Sequence, residues 1–172
     1  EKRAKFLGYE AHGLILTSVE HDHVDIYPTW DSYRWAFGRL VTALPASGLL
    51  VACGDHPEVE RIASRAPCAV KTYTAADGVQ ADYRAADVHV GESETTFTLL
   101  ARDGRDMGTF RLPATGLYNV ANAVAALTMC SVHAGVDMDV LNDALATFPG
   151  VARRQHLAGT PGNVRVLDDF GH

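Results

Sequence analysis

The sequence has little of what secreted, membrane-spanning or nucleic-acid-binding chains usually carry. Its 172 residues include only three cysteines. This odd number, without a CxxC pair, excludes a disulfide framework and a zinc site of that type, so we expect a cytoplasmic protein with reduced thiols. No apolar run approaches the roughly 20 residues that cross a bilayer. With 15 basic against 21 acidic residues and no basic cluster, we expect neither a membrane nor a nucleic acid as a partner.

The sequence also lacks a glycine-rich loop ending in Gly-Lys-Ser or Gly-Lys-Thr, the segment whose backbone amides cradle nucleotide phosphates. It begins at Glu1 rather than at methionine, and it stops at a polar cluster directly after the apolar residues 164–167. Natural chains rarely stop at such a point. We therefore interpret both ends as cuts in a longer polypeptide.

What is present in the first 78 residues is an alternation of short apolar runs with amphipathic patterns. The runs predict buried strands, and the patterns predict helices, the first of them capped by Asp31. This strand–helix rhythm is typical of a doubly wound parallel sheet. The predicted strands are 13–19, 49–53 and 69–74, and the predicted helices are 31–43 and 58–66.

After Gly78 apolar and polar residues tend to alternate, and Asp103-Gly104 has the composition of a hairpin turn. We predict a small antiparallel sheet appended to the parallel one, formed by 82–90, 95–102 and 107–112. Two C-terminal helices, 117–134 and about 139–148 with a cap region at Asp137, and a last strand at 164–167 complete the prediction. The fold class is therefore α/β, with a mostly parallel sheet.

The first group of residues that could carry chemistry is HDHVD at 21–25, preceded by Glu20, at the end of the first predicted strand. Imidazole and carboxylate groups together suit a divalent metal, and a role beside Mg²⁺ and phosphate is the interpretation that we favour. His21, His23 and Asp25 also spell the HxHxD opening of a zinc hydrolase motif, although an isoleucine stands where that motif needs another histidine. A third interpretation is that these side chains only solvate the strand end.

The second group is GLYNVANAVAA, in which Asn119 and Asn122 lie three residues apart on one helix face. An asparagine amide offers both a donor and an acceptor, which suits an adenine edge or a phosphate-bound network. Helix capping by Asn119 is the alternative. The third group is Arg153 and Arg154 with the aspartates that close the chain, which suit phosphate and ribose hydroxyls or form an ordinary exposed basic pair.

Taken together, these segments resemble the motifs of the Mur ligase family, which adds amino acids or peptides to a UDP-linked muramic acid precursor of peptidoglycan. GLYNVANAVAA is similar to the family's G-x-H-N-x-x-N-x-x-A-A, with Tyr118 in place of the usual histidine. GVARRQHL and VLDDFGH are similar to G-x-x-R-R and V-x-D-D-[YF]-[GA]-H. The family's E-x-D-H-x-D is matched by Glu20, Asp22, His23 and Asp25.

Within the family, KRAKF, YEAHGLILTSVEHDHVDIY and DDFGH most resemble the murein peptide ligase branch. That branch joins L-alanyl-γ-D-glutamyl-meso-diaminopimelate to UDP-N-acetylmuramate in peptidoglycan recycling. The L-alanine-adding branch is the close alternative. Both branches lack the carbamylated lysine that several other members carry near the position of Phe37.

The resemblance implies site roles and cofactors. His23 would be the catalytic residue that binds Mg²⁺ beside the γ-phosphate of ATP. Asn119, Asn122, Arg154 and Asp169 would contact or support the nucleotide. The substrates would be UDP-N-acetylmuramate and a peptide, joined through an acyl phosphate.

The resemblance also implies a domain division. Residues 1–150 would be the central ATPase domain without its phosphate-loop portion, and 151–172 a linker with the first strand of the C-terminal ligase domain. We expect the isolated chain to have no ligase activity and little affinity for ATP, and its unpaired sheet edge offers a second copy a place to associate. A zinc hydrolase and a non-catalytic binding domain remain the alternatives.

Overall fold

The structure, a computed structural model, describes residues 4–151, 153–154 and 156–170. A six-stranded sheet with two helices on one face and a long helix on the other forms most of it. The strands are β1 (Gly13–Leu16), β2 (Leu49–Cys53), β3 (Ala69–Thr74), β4 (Tyr83–Val90), β5 (Thr95–Ala101), β6 (Asp106–Leu112), β7 (His156–Gly159) and β8 (Val166–Asp168). The helices are α1 (Trp30–Thr42), α2 (Pro57–Ala63), α3 (Leu117–Ala134) and α4 (Met138–Ala146).

The parallel part of the sheet runs in the order β1-β2-β3-β4. All five residues of β2 are buried, because α2 packs on this strand from one side and α3 from the other. A strand covered on both faces reads as a continuous apolar run, which is the pattern of Leu49–Cys53. The doubly wound, mostly parallel sheet predicted from the sequence is thereby confirmed.

The antiparallel strands continue this same sheet. β4 joins β3 through only two parallel pairs, Tyr73 with Tyr83 and Thr74 with Arg84, and then pairs antiparallel with β5, as β5 does with β6. Alternate residues of β5 are buried, so only one face of this part is fully covered. Stacked rings of Phe97 and Phe110, 5.7 Å apart, occupy that face.

Helix α1 begins differently from the prediction. Its N-cap is Thr29, whose side chain accepts from the backbone N–H of Ser32 at 3.1 Å, while the Ser32 hydroxyl accepts from the backbone N–H of Thr29 at 3.2 Å. The prediction that Asp31 caps this helix is wrong. Asp31 already lies inside the first turn, where its carboxylate is 3.6 Å from Arg34.

The last part of the chain contains a small sheet of its own. β7 and β8 pair antiparallel; the sequence predicted a strand at 164–167 but missed β7. The domain division at residue 150 remains a prediction. Among the residues described, no helix combines the length and apolarity needed to span a bilayer. Several motif residues fall outside the description, namely Lys2 and Arg3 of KRAKF, Ala152 and Gln155 of GVARRQHL, and Gly171 and His172 of VLDDFGH.

Candidate functional site

Polar side chains gather where the parallel strands end. The loop after β1 brings the carboxylate of Glu20 to 3.9 Å from Nδ1 of His56, which follows β2. In the loop after β2 that contains His56, the carboxylate of Asp55 accepts a hydrogen bond from the hydroxyl of Thr74, the last residue of β3. Three consecutive loops therefore meet at the carboxyl edge, where open α/β sheets bind their ligands.

His23 lies in the loop between β1 and α1 with a backbone φ of 53°, in the left-handed region that few residues other than glycine adopt. Its carbonyl accepts from the backbone N–H groups of Ile26 and Tyr27, at 2.8 and 2.9 Å. Its own N–H donates to Oδ1 of Asp22 at 2.6 Å, and the other oxygen of that carboxylate lies 3.9 Å from Nε2 of the imidazole. Both side chains are more than half exposed.

The surroundings of this loop are electronegative. The phenol of Tyr33, on the facing side of α1, has a raised pKa because it is buried and because the carboxylates of Asp22 and Glu20 disfavour its anion, as does Tyr27. The same negative charge favours a cation.

The donor set suits Mg²⁺ bound together with phosphate. Mg²⁺ in nucleotide sites keeps several waters and takes one or two carboxylates besides the phosphates, and the Asp22 carboxylate beside the His23 imidazole is a ligand of that kind. In the described ranges no three His, Cys, Asp or Glu side chains are arranged to hold a metal unaided. The zinc hydrolase hypothesis requires His21, His23 and Asp25 on one ion, but His21 is directed to the carbonyl of Tyr27, 2.9 Å from its Nε2.

The two asparagines of α3 have different environments. The N-cap of α3 is Gly116, and Asn119 stands three residues later, where its amide donates to the carbonyl of Thr115 at 2.7 Å. Asn119 donates backward and does not accept from the helix N–H groups, so the capping interpretation is wrong. The side chain of Asn122 is exposed and has no hydrogen bond to any residue that the structure describes.

The start of α3 lies at the same sheet edge as the His23 loop. A Cβ built on Gly13, the first residue of β1, would lie 3.0 Å from the sulfur of Met129, so the late part of α3 covers the opposite, amino edge. The chain enters α3 beside Thr95, whose hydroxyl donates to the carbonyl of Ala114 at 2.8 Å, and Thr95 pairs with Val90 at the carboxyl end of β4. The strands β1 and β4 are three neighbours apart, about 14 Å measured across the strands. Val90 lies six residues beyond Arg84, which pairs with Thr74 at the end of β3, so α3 starts beyond the ends of the shorter parallel strands.

The arginine pair is brought to the closing aspartates by the small sheet. Phe170 N–H donates to the carbonyl of Arg153 at 2.7 Å, and the Arg153 guanidinium stacks on the Phe170 ring at 4.7 Å and lies 3.9 Å from Asp168. Arg154 donates to the carbonyl of Phe170 at 3.3 Å. Arg154 and Asp169 are both exposed. The third group of the sequence is thus one local unit.

Asp55 and His56, directly after β2, were not among the predicted site residues. Polar residues directly after a buried parallel strand point to the ligand edge wherever they occur. The same argument, applied to β2 as it was to β1, adds Asp55 and His56 to the residues expected at the ligand edge. No feature of the sequence indicated the contacts of His21.

The fold and this edge define an α/β domain of the class that binds ligands at the carboxyl ends of its parallel strands. The family model described as the Mur ligase middle domain matches residues 1–130. The chain belongs to the Mur ligase family, whose members are ATP-dependent ligases of peptidoglycan synthesis.

Similar proteins agree with this assignment. The UDP-N-acetylmuramate–L-alanine ligase of Sorangium cellulosum is 34% identical over 172 residues, 100% of this chain and 36% of the relative. That of Solibacter usitatus is 35% identical over 92% of this chain and 33% of its own length. The chain therefore spans about a third of the relatives that it matches.

Solved structures show the same fold. The murein peptide ligase of Psychrobacter arcticus is 26% identical, with a TM-score of 0.73 over 100% of this chain and 34% of that protein. The UDP-N-acetylmuramate–alanine ligase of Thermotoga maritima has a TM-score of 0.78 at 22% identity, over 96% of this chain and 36% of that protein, and at that identity it shows the fold alone.

Proposed function

We propose that this chain is the nucleotide-facing part of a ligase that uses ATP and Mg²⁺ to join a peptide to UDP-N-acetylmuramate. One observation carries the proposal beyond the family assignment: the His23 loop and the first turn of α3 share the carboxyl edge of one sheet. A nucleotide lying along that edge would have its phosphates near His23 and its base near Asn122.

In the proposed reaction the muramoyl carboxylate attacks the γ-phosphorus of ATP, giving an acyl phosphate and ADP. The amine of the incoming peptide then attacks the acyl carbon, and phosphate leaves as the amide forms. Bound Mg²⁺ would neutralise charge on the transferring phosphoryl group. The imidazole of His23 would hold that ion, and Asn122, Arg154 and Asp169 would position the nucleotide. Asn119 would support the nucleotide site by fixing the first turn of α3.

We propose the tripeptide L-alanyl-γ-D-glutamyl-meso-diaminopimelate as the incoming substrate. Support comes from KRAKF at the start and DDFGH at the end of the chain, and from the two murein peptide ligase structures at 25% and 26% identity. The second candidate is L-alanine, because the curated relatives at 33–35% identity are named as L-alanine ligases.

The deciding experiment is an assay of a full-length ligase polypeptide that contains this chain together with a phosphate loop and the remaining domains, called the phosphate-loop polypeptide below. UDP-N-acetylmuramate, ATP and Mg²⁺ are supplied with either the tripeptide or L-alanine, and released phosphate and product mass are measured. We expect turnover with the tripeptide. Turnover with L-alanine alone selects the second candidate, and no turnover with any amine contradicts the ligase function.

The site assignment is tested in the same polypeptide with His23→Asn. Asparagine tolerates the left-handed backbone at this position, so we expect the fold to persist while the Mg²⁺ dependence of turnover weakens and the rate falls by at least about a hundredfold, as for loss of a charge-stabilising group. The matched control is His12→Asn, since His12 is exposed and precedes β1 at the opposite edge. Equal losses in the two variants would contradict the assignment.

A further inference from the structure

The loop that presents His23 is closed by a second histidine. Nε2 of His21 lies 2.9 Å from the carbonyl oxygen of Tyr27, six residues along the chain. A carbonyl only accepts, so Nε2 of His21 carries the proton and donates it. This hydrogen bond ties the beginning of the loop to its end, across the residue with the left-handed backbone.

The ring of His21 is also held from the side. Its centroid lies 5.8 Å from that of Tyr33, in an edge-on arrangement, and 6.1 Å from that of Trp30, both in the first two turns of α1. The same Tyr33 packs edge-on against Tyr27 at 5.0 Å. His21 and Tyr27 therefore share one aromatic support, which fixes the distance that their hydrogen bond spans.

The left-handed conformation of His23 needs such a support. A non-glycine residue in that region is strained, and the conformation persists where the surroundings over-determine it. Here the carbonyl of His23 accepts from the N–H groups of Ile26 and Tyr27, and His21 donates to the carbonyl of the same Tyr27. Three hydrogen bonds thus converge on a turn of seven residues, 21–27.

We propose that His21 is a positioning residue, whose hydrogen bond to the Tyr27 carbonyl holds the His23 imidazole at the carboxyl edge of the sheet. What His23 binds there rests on the proposed function. The constraint on the loop does not, because it follows from contacts within the chain. His21 occupies the variable position of the E-x-D-H-x-D motif, so the motif itself assigns it no role.

Two substitutions separate the hydrogen bond from the ring contacts. His21→Phe keeps a ring against Trp30 and Tyr33 but removes the donor. His21→Gln loses the ring and keeps an amide N–H close to the place of Nε2. The matched control is His12→Phe, an equivalent exchange at an exposed histidine on the opposite edge.

The first readout is hydrogen exchange at the backbone amides of Ile26 and Tyr27, whose acceptor is the His23 carbonyl. We expect His21→Phe to speed their exchange by about tenfold, the change that loss of one hydrogen bond produces, while His21→Gln and His12→Phe stay near the parent. Parent-like protection in His21→Phe would overturn the proposal. So would equal loss in His21→Gln and His21→Phe, since a donor at this position would then not be enough to hold the loop.

The second readout follows the imidazole of His23 by NMR in the presence of ATP and the paramagnetic ion Mn²⁺, with the phosphate-loop polypeptide. We expect strong broadening of the His23 signals in the parent and in His21→Gln, and weaker broadening in His21→Phe. Equal broadening in all three overturns the positioning role. If the parent itself shows no broadening, the proposed Mg²⁺ role of His23 fails, while the exchange experiment still decides whether His21 holds the loop.

Discussion

At the scale of single residues, Asn119 and Asn122 show that identical side chains on one helix face have different environments. The amide of Asn119 is fixed on the Thr115 carbonyl and so secures the first turn of α3. The side chain of Asn122, one turn further, is exposed and makes no hydrogen bond to any described residue. An exposed amide without a side-chain hydrogen bond, on a helix of mostly small and apolar residues, can donate to a ligand and accept from it.

We therefore expect alanine substitutions at these two positions to change different quantities, the stability of the fold at Asn119 and the binding of ATP at Asn122. Asn119→Ala should lower the free energy of unfolding by about 0.5–1.5 kcal/mol, the net value of one hydrogen bond. Asn122→Ala should leave that free energy within about 0.5 kcal/mol, as surface substitutions do, and weaken ATP binding by the phosphate-loop polypeptide. Urea unfolding and calorimetric titration measure the two quantities. Undiminished ATP affinity in Asn122→Ala would contradict its nucleotide role.

A second residue-scale prediction concerns alkaline pH. Burial raises the pKa of the Cys53 thiol and of the Tyr73 phenol, which share a hydrogen bond. Above the ordinary pKa of each group the unfolded chain has lost a proton that the folded chain still holds. The free energy of unfolding must then fall as pH rises, from about pH 9 upward.

Urea unfolding at pH 7.5 and at higher pH measures this decline. Tyr73→Phe removes one of the two titrating groups and should make the alkaline decline shallower. Tyr118→Phe, at a tyrosine that is 54% exposed, is the matched control and should leave the decline unchanged. Identical slopes for the parent and Tyr73→Phe would show that the phenol does not contribute.

At the scale of elements, the entry into α3 depends on Gly116. Its φ of 97° and ψ of 141° lie in a region that only glycine adopts readily, and a Cβ there would approach the ring of Tyr118 to 2.7 Å. The ring of Tyr118 is exposed and can move away. The loss of stability on substitution of Gly116 therefore depends on its backbone conformation. This glycine sets the direction in which α3 starts and thus the position of Asn119 and Asn122.

Gly116→Ala should destabilise the fold by about 1–3 kcal/mol, the range for a side chain forced into such a conformation. Gly135→Ala, at the other end of α3, is the control, because its φ of 67° lies in the milder left-handed region and its Cβ would meet open space. Thermal and urea unfolding compare the two. A smaller loss for Gly116→Ala than for Gly135→Ala would contradict the argument.

The sequence predicted elements best where pattern and packing coincide. β2, β3 and α3 were predicted with the bounds that the structure has. For β2 and α3 the reason is that an uninterrupted apolar strand and an alanine-rich helix leave one solution. The cap of α1 was mistaken, since Thr29 and Asp31 are both good capping residues and only the backbone tells which one lies outside the helix. β7 has a mixed composition and pairs only with β8, so no pattern marked it.

At the scale of the whole molecule, the site could be named from the sequence but not assembled from it. Motif resemblance selected His23 and the α3 asparagines. That they share an edge depends on the direction in which α3 crosses the sheet, from the carboxyl end of β4 to the start of β1. This direction is a property of packing across the 95 residues between His23 and Asn119, which no local pattern contains.

The two edges of the six-stranded sheet differ in their protection. β6 is covered by α4, where the amide of Asn142 donates to the carbonyl of Thr109 at 3.0 Å. β1 pairs with β2 on one side, and among the described strands none pairs with its other side. Unpaired N–H and C=O groups along a strand are a template for a second chain. We therefore expect the isolated chain to self-associate through β1 and not through β6.

Sedimentation velocity over a range of concentrations tests for the association, and hydrogen exchange locates it. Pairing of two β1 strands would bury their outward amides, so exchange at 13–16 should slow as the concentration rises while exchange at 106–112 stays constant. A monomer at every concentration would contradict the prediction, as would association without added protection at β1.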